Sequence, residues 1–393
     1  MSFSVLERQA MQLALQLAEQ GRGQVSPNPL VGAVLLRDGA ITGQAFHERL
    51  GGLHAEAQLL QSLPASVTEG ATLVVNLEPC NHQGRTPPCA RLVAERGIKR
   101  VVIATRDPNQ QVKGGGAEFL RHQGVVVECG LLAVEAARLN RGFLARHLLE
   151  HPWVTLKIAR TLDNCITPAG STTGAITGVA AHRDSHRLRA EHDAILVGIN
   201  TIINDNPQLN VRHLPPANPA GSDAAGPLST PVKVVLDQRL RLPLTSHVVK
   251  RVPAEPLWVL TSEDAIETEA ADKLRKAGVV LIPIASVDGL LDPAQVLGVL
   301  LERGINSVLI EGGAGVYHTF SAAACFDELV IYTAGWIAGD GLQLRPAPTR
   351  LELELDDVIQ IENDTRARYS IPTVSRRWLQ FIETGREDRC LPD

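Results

Sequence analysis

The sequence predicts an α/β protein of two domains, and three observations carry that expectation. Segments of strand composition alternate with segments of helical period through about the first 130 residues. A second alternation starts afresh at Trp153, just past His151-Pro152. The chain of 393 residues is also long enough for two full cores. The expected boundaries are residues 1–150 and 151–385.

In the first half, Ser4-Val5-Leu6-Glu7 is a capping-box pattern, followed by Leu6, Ala10, Leu13, Ala14 and Leu17 at helical spacing up to Gly21. Ser26–Pro29 reads as a turn. Val31–Leu36 and Ala40–Ala45 read as strands joined by Asp38-Gly39. A helix opens at His54, and Ala71–Leu77 is a strand rich in β-branched and apolar residues. Pro87-Pro88-Cys89 opens a helical run closed by Gly97. A strand over 100–104, a helix over 117–122 and a strand over 125–129 follow, and Leu131–Leu149 reads as one closing helix.

The second half begins with a strand at Trp153–Ala159, a helix near 179–191 and a strand at 194–199. Residues 214–231, rich in Pro, Ala, Gly and Ser, read as a long loop inside the second domain. Strands are expected at 232–236, 257–260, 279–284 and 307–310, with helices near 265–277 and 293–303. From Leu351 the alternation reads as strands at a sheet edge.

The strongest chemical signal is a divided cluster: His54-Ala55-Glu56, then Glu78-Pro79-Cys80, then Cys89. One imidazole and two thiols hold zinc and leave the fourth position for water, the layout of a catalytic rather than a structural site. His54 and Cys89 both fall at helix starts, where the dipole favours an anionic ligand shell. Glu56, two residues past the histidine, is free to move protons. Zinc deaminases combine a metal-activated water with such a non-ligand Glu.

Bulk composition narrows the partners. The formal charge is −5 and aromatic residues make up 4%, which argues against a nucleic-acid surface or base-stacking platform. No apolar run has transmembrane length, and Met1–Gln20 is amphipathic without a cleavable apolar core, so a cytoplasmic protein without membrane contact is expected. Of six cysteines, Cys129, Cys165, Cys325 and Cys390 show no spacing and are expected as free thiols.

Two weaker signals lie in the second half. Glu311-Gly312-Gly313-Ala314-Gly315 follows a strand and opens a helix, which suits either a phosphate cradle or a tight strand-to-helix turn. Arg189, Thr201, Asp205 and Arg212 fit either phosphate and cofactor recognition or a solvated surface.

These residues together resemble the bifunctional riboflavin-biosynthesis family, a pyrimidine deaminase fused to a pyrimidine reductase. The resemblance covers nearly the whole chain. It rests on Pro27-Asn28-Pro29-x-Val31-Gly32, His54-Ala55-Glu56, Glu78-Pro79-Cys80 through Pro87-Pro88-Cys89 with its eight-residue gap, and Asp107-Pro108-Asn109. In the second half it rests on Lys157, Leu162-Asp163, Ile176-Thr177-Gly178, His186-x-Leu188-Arg189-Ala190, Asp205-x-Pro207 and Glu311-Gly312-Gly313. It implies a cytidine-deaminase-like domain followed by a dihydrofolate-reductase-like domain that uses NADPH. It implies zinc on His54, Cys80 and Cys89, proton transfer by Glu56, and substrate contacts from Asn28, His47, His82 and Arg85. For the reductase it implies NADPH contacts from Ala159, Thr201, Asp205, Gly313, Ala314 and Gly315, and substrate contacts from Arg189, Leu209, Arg212 and Glu311. The substrate implied is 2,5-diamino-6-ribosylamino-4(3H)-pyrimidinone 5′-phosphate, and a homodimer through the reductase domain is expected.

The sequence departs from the family pattern at Asn164 and Gly335, where the family has glycine and proline, at Ala175, where it has tryptophan, and at Asn206, where it has aspartate. A deaminase carrying a degenerate reductase domain, kept for dimerisation or stability, is therefore the alternative reading.

Overall fold

The structure, a computed structural model, describes residues 3–81, 87–109, 115–170, 176–212, 230–287, 290–344 and 350–387. They fall into two units: one of residues up to Glu150 together with residues from Arg376, the other of His151 to Ser375.

In the first unit, helix α1 (Val5–Glu19) starts where Ser4 Oγ accepts the Glu7 N–H at 3.1 Å and the Ser4 N–H donates to the Glu7 carboxylate at 2.7 Å. Those two bonds satisfy helix-start donors that otherwise have no partner. Strands β1 (Gly32–Arg37), β2 (Ala40–Phe46), β3 (Thr72–Leu77), β4 (Arg100–Thr105) and β5 (Val126–Cys129) form one sheet in the order β2-β1-β3-β4-β5. β1 is antiparallel to β2 and β3, while β3, β4 and β5 run parallel. Parallel neighbours need crossovers, and the helices α2 (Ala55–Ser62), α3 (Ala65–Thr68), α4 (Cys89–Glu95), α5 (Gly116–His122), α6 (Ala133–Leu139) and α7 (Arg141–Leu148) supply them and close the unit.

Strand alternation sends Leu35, Leu73 and Ile103 to a core shared with Leu59, Val93 and Leu120, and Val34, Val74 and Val102 to a core under Ala10, Met11 and Ala14. α1 lies so close that a Cβ on Gly32 would stand 2.0 Å from the Ala14 carbonyl oxygen, so only glycine fits there.

The single helix expected over 131–149 is two helices, α6 and α7, divided at Asn140. The Asn140 side chain leaves the helical pattern to bond the backbone of Leu30, accepting its N–H at 2.8 Å and donating to its carbonyl at 2.9 Å.

In the second unit, β6 (Trp153–Arg160) leads to β7 (Cys165–Pro168), α8 (Val179–Ala190), β8 (Ala194–Gly198), α9 (Ile199–Asp205), β9 (Val232–Leu236), α10 (His247–Lys250), β10 (Leu257–Ser262), α11 (Glu269–Lys276) and β11 (Val280–Ile284). The short pair β12 (Ser286–Val287) and β13 (Leu290–Leu291) precedes α12 (Pro293–Glu302), β14 (Ser307–Ile310), α13 (Ala314–Ala322), β15 (Glu328–Thr333), β16 (Gly341–Gln343), β17 (Glu354–Ile361) and β18 (Asp364–Ser370). Nine strands form one sheet, β11-β10-β9-β8-β14-β6-β15-β18-β17, parallel through β15 and antiparallel at its last two strands. The parallel strands bury both faces and read as runs such as Ile195–Val197, whereas the edge strand β17 exposes Leu355 and Val358.

The expected alternating tail is β17 and β18. Beyond it stands a helix that the strand reading does not contain, α14 (Pro372–Glu387). Its Trp378, Phe381 and Ile382 pack with Ala133, Ala137 and Leu144, and its residues from Arg376 group with the first unit. Residues 214–229 of the expected loop lie outside the described residues.

Candidate active sites

In the first unit, β3 runs out of the sheet into Glu78-Pro79-Cys80, His54 is the N-cap of α2, and Cys89 is the first residue of α4. Three elements therefore aim their donors at one point. His54 Nδ1 lies 3.5 Å from Cys80 Sγ and 3.4 Å from Cys89 Sγ. All three donor atoms fall within 4.8 Å of one another. A tetrahedral zinc with ordinary Zn–S and Zn–N bonds has N···S edges of about 3.5 Å. The donor set therefore fits zinc in kind and in spacing.

The N–H groups of the α4 start complete the shell. The Cys89 N–H points at Cys80 Sγ at 3.4 Å, and the Ala90 N–H donates to the Cys80 carbonyl at 3.0 Å. The side-chain hydrogen bond between the two thiols holds Cys80 below the usual thiol range and pushes Cys89 above it.

Glu56 stands in the first turn of α2 with only 3% of its surface exposed. Burial, then the neighbouring Cys80 thiolate, raises its carboxyl to about 7. A carboxyl near neutrality both takes and returns a proton.

His47 and Asn28, expected as substrate contacts, are brought to the same place. The His47 ring meets the His54 ring edge to face at 5.4 Å. Its Nδ1–H donates to the Leu53 carbonyl at 2.9 Å, so Nε2 accepts from Asn28 Nδ2 at 3.2 Å. Burial lowers its pKa, in keeping with a neutral ring. His82 and Arg85 lie outside the described residues.

Sequence reasoning assigned no role to the side chains that hold this site. Asn76, in an otherwise apolar strand, accepts the Gly32 N–H at 2.8 Å and donates to the Leu30 carbonyl at 2.9 Å. With Asn140 it clamps the segment that follows Asn28, and a buried amide in a run of Val and Leu was the available signal. Glu78 is 6% exposed. Its carboxylate accepts the Ala117 N–H at 2.8 Å and the Asp107 N–H at 3.1 Å, and pairs with Arg106 at 3.1 Å. It ties the exit of β3 to the start of α5. The approach is close: a Cβ on Gly116 would lie 1.8 Å from the Pro79 carbonyl oxygen.

The second unit carries a cavity of about 1040 Å³ at the C-terminal ends of its parallel strands, where open α/β sheets bind ligands. Ala159, Thr201, Asp205, Glu311, Gly313, Ala314 and Gly315 all line it. Gly313 caps α13, so backbone N–H groups at the helix start face the cavity and suit a phosphate. Thr201 and Asp205 share one short helix, α9, that the sequence reading did not contain.

Arg189 and Glu311 form a bidentate pair, Nε to Oε1 at 2.9 Å and Nη2 to Oε2 at 2.6 Å. Burial works to raise the Glu311 carboxyl, and Arg189 overrides it, holding the group at about 2. Arg189 also donates to the Asn210 carbonyl at 3.1 Å, and the Arg212 N–H to His186 Nδ1 at 3.0 Å. Arg189 thus joins Glu311 to the backbone of Asn210, and the neighbouring Leu209 is buried. Lys157, matched in sequence without a role, lines the cavity with its Nζ 5.5 Å from the centre of the Tyr332 ring. Burial lowers its pKa.

The departures at Asn164, Asn206 and Gly335 are accommodated locally. Asn164 has φ +64° and Asn206 φ +42°, left-handed positions that asparagine adopts with little strain. Asn164 also accepts from Arg160 at 3.0 Å and donates to the Leu344 carbonyl at 3.2 Å, and Asn206 Oδ1 accepts the His247 N–H at 2.9 Å. A Cβ on Gly335 would lie 2.5 Å from the Asn363 carbonyl oxygen, so the β17–β18 turn requires glycine there. Ala175 lies outside the described residues.

Comparison with known proteins now bears on both sites. Residues 5–105 match the cytidine and deoxycytidylate deaminase zinc-binding region, and residues 152–366 match the RibD C-terminal domain. The riboflavin biosynthesis protein RibD of Bacillus amyloliquefaciens is 38% identical over 372 residues, 92% of this chain and 95% of that protein. This chain belongs to the RibD family. The solved structure of Acinetobacter baumannii RibD superposes with a TM-score of 0.79 at 34% identity, covering 93% of this chain and 98% of that one. A diaminohydroxyphosphoribosylaminopyrimidine deaminase/5-amino-6-(5-phosphoribosylamino)uracil reductase from Thermotoga maritima gives 0.78 at 33% identity, covering 93% and 99%. This RibD family member is a riboflavin-biosynthesis enzyme that joins a deaminase to a reductase, with Zn²⁺ and NADPH as cofactors. The alternative of a reductase domain reduced to a structural role is not favoured.

Proposed function

We propose that the chain deaminates 2,5-diamino-6-ribosylamino-4(3H)-pyrimidinone 5′-phosphate in the first unit and reduces the ribosyl group of the product to ribityl in the second. The two domains of this reading meet near residue 150. When bound, zinc supplies an activated water and NADPH a hydride. His54, Cys80 and Cys89 hold the metal. Glu56 takes the proton of the attacking water and passes it to the departing amine, so that ring C–NH₂ and water become C=O and ammonia. Asn28 and His47 orient the pyrimidine with their linked amide and neutral imidazole, and His82 and Arg85 complete that contact and bind the ribose phosphate.

In the reductase, Ala159, Thr201, Asp205 and Gly313–Gly315 receive NADPH. Arg189, Leu209, Arg212 and Glu311 receive the pyrimidine phosphate, with Glu311 kept ionised by Arg189. Two copies pair through the reductase domain. The edge strand β17 supports this, because it leaves one side of its ladder open and exposes Leu355, Val358 and Ile359. The enzyme works in the cytoplasm. No helix among the described residues is long and apolar enough to cross a membrane.

The observation that carries the reading is the zinc-sized triangle of His54, Cys80 and Cys89 beside buried Glu56. Incubating the purified protein with the diaminopyrimidine phosphate, with and without NADPH, and resolving both products tests it. Ammonia release without NADPH and a ribityl product only with NADPH are expected. No ammonia from zinc-replete protein would overturn the first step, and no ribityl product with NADPH the second.

A further inference from the structure

Asn28 and His47 lie 19 residues apart and meet at 3.2 Å, Nδ2 to Nε2. The stretch Leu30–Gly32, where the chain passes from Asn28 into β1, fixes that meeting. The Val31 carbonyl accepts the His47 N–H at 2.8 Å, so the stretch carries the backbone of His47 on its side and Asn28 at its N-terminal end. Three further polar groups of the stretch go to two asparagine side chains. The Leu30 N–H donates to Asn140 Oδ1 at 2.8 Å. The Leu30 carbonyl accepts twice, from Asn140 Nδ2 and from Asn76 Nδ2, both at 2.9 Å. The Gly32 N–H donates to Asn76 Oδ1 at 2.8 Å.

This frame is rigid for identifiable reasons. Asn76, Asn140, Leu30 and His47 are all buried, so water does not replace a lost partner and an unmatched peptide group there is costly. Asn140 stands at the corner between α6 and α7, and that corner is anchored on both flanks. Leu139 packs with Val25 and Leu30. Ala137 of α6 and Leu144 of α7 pack with Trp378 and Ile382 of α14. The corner is also separate from the metal: the zinc ligands come from the start of α2, the exit of β3 and the start of α4. Truncating Asn140 leaves the Leu30 carbonyl its bond to Asn76, so β1 stays in register, and frees the end of the stretch that carries Asn28.

We propose that Asn140 is a positioning residue of the deaminase: it fixes the Leu30 peptide, and through it holds the Asn28–His47 pair in the geometry that binds the pyrimidine. The inference rests on the reading that Asn28 and His47 orient the pyrimidine. It gives Asn140 an effect on substrate affinity, exerted through Asn28, that a residue serving only to join α6 to α7 does not have.

Steady-state deamination of the diaminopyrimidine phosphate by the full chain loaded with zinc, for wild type, Asn28→Ala, Asn140→Ala and the double variant, tests it. Each single change should raise KM about tenfold, through the hydrogen bonds it removes. Zinc content should stay at the wild-type level, and kcat within about threefold of it. In the double variant the two effects should not multiply: with the Asn28 amide gone, Asn140→Ala should add less than about threefold. Asn140→Ser returns a hydroxyl to the gap and should raise KM by only about threefold, and it carries the test if the alanine variant does not fold. A wild-type KM in Asn28→Ala would remove the underlying reading and the proposal with it. A raised KM in Asn28→Ala beside a wild-type KM in the Asn140 variants would overturn the proposal alone. So would a full further tenfold loss when Asn140→Ala is added to Asn28→Ala, or a fall in zinc that matches the lost activity, because either makes Asn140 purely structural.

Discussion

Glu78 gives the sharpest test of how the zinc site is held. Its carboxylate touches neither substrate nor metal, and instead joins Ala117, Asp107 and Arg106 across the exit of β3. In Glu78→Ala, two backbone N–H groups lose a charged acceptor. Bonds of that kind contribute ~1.5–3 kcal/mol each. Water entering the gap and the remaining pair between Arg106 and Glu118 offset part of the loss. A net cost of about 3 kcal/mol follows, or a fall of roughly 6–12 °C in the unfolding temperature of a unit this size. Glu78→Gln keeps one acceptor and should lose about half as much. Because Cys80 lies two residues on, the alanine variant should also release zinc to a mild chelator faster than wild type. Thermal unfolding followed beside zinc content and ammonia release reads all three effects. An alanine variant with wild-type unfolding temperature and zinc retention would show that the strand exit is held by packing alone, and would refute the reasoning.

Other changes separate the two sites. Glu56→Gln should keep its zinc by elemental analysis yet lose deamination by ~10²–10⁴-fold, whereas loss of metal would make Glu56 structural. Glu311 has a depressed pKa, so its pairing stabilises the fold above the ordinary carboxylate value of 4.5, and that contribution disappears as pH falls towards about 2. The stability at stake is on the order of 3 kcal/mol, and in Arg189→Leu the loss should begin at higher pH in acid-unfolding curves. Asn164→Gly should be nearly neutral because the residue already sits at φ +64°, while Asn164→Val should lower the unfolding temperature and reduce NADPH binding; equal behaviour of the two would show that φ is not what constrains the position.

Short-range rules account for what was legible in the chain. The capping box at Ser4 and Glu7, the helix starts at His54 and Cys89, the glycine-capped α13 and the β-branched strands are all written within a few residues. His-x-Glu and Pro-Cys name their chemistry because ligands and proton carriers are rare residue types in fixed neighbourhoods. The resemblance then suggested roles for Asn28 and His47, and the fold places the His47 ring beside His54 with Asn28 bonded to it.

What tertiary structure decided is long-range. Asn140 reaches Leu30 across 110 residues and thereby breaks a segment whose local pattern is one helix. Helix α14 follows strands in sequence, yet its apolar face fits α6 and α7, and no local pattern states which surface will need covering. Asn164, Asn206 and Gly335 read as losses in the sequence, because a residue letter does not show the sign of φ or how close a neighbouring carbonyl stands. Ala159, Thr201 and Glu311 stand far apart in the chain until sheet order puts β8, β14 and β6 side by side and opens all three onto one cavity. The physical reason is common to all four: backbone preferences act over one or two turns, while side-chain partners are chosen by the packing of elements whose order in space is not their order in the chain.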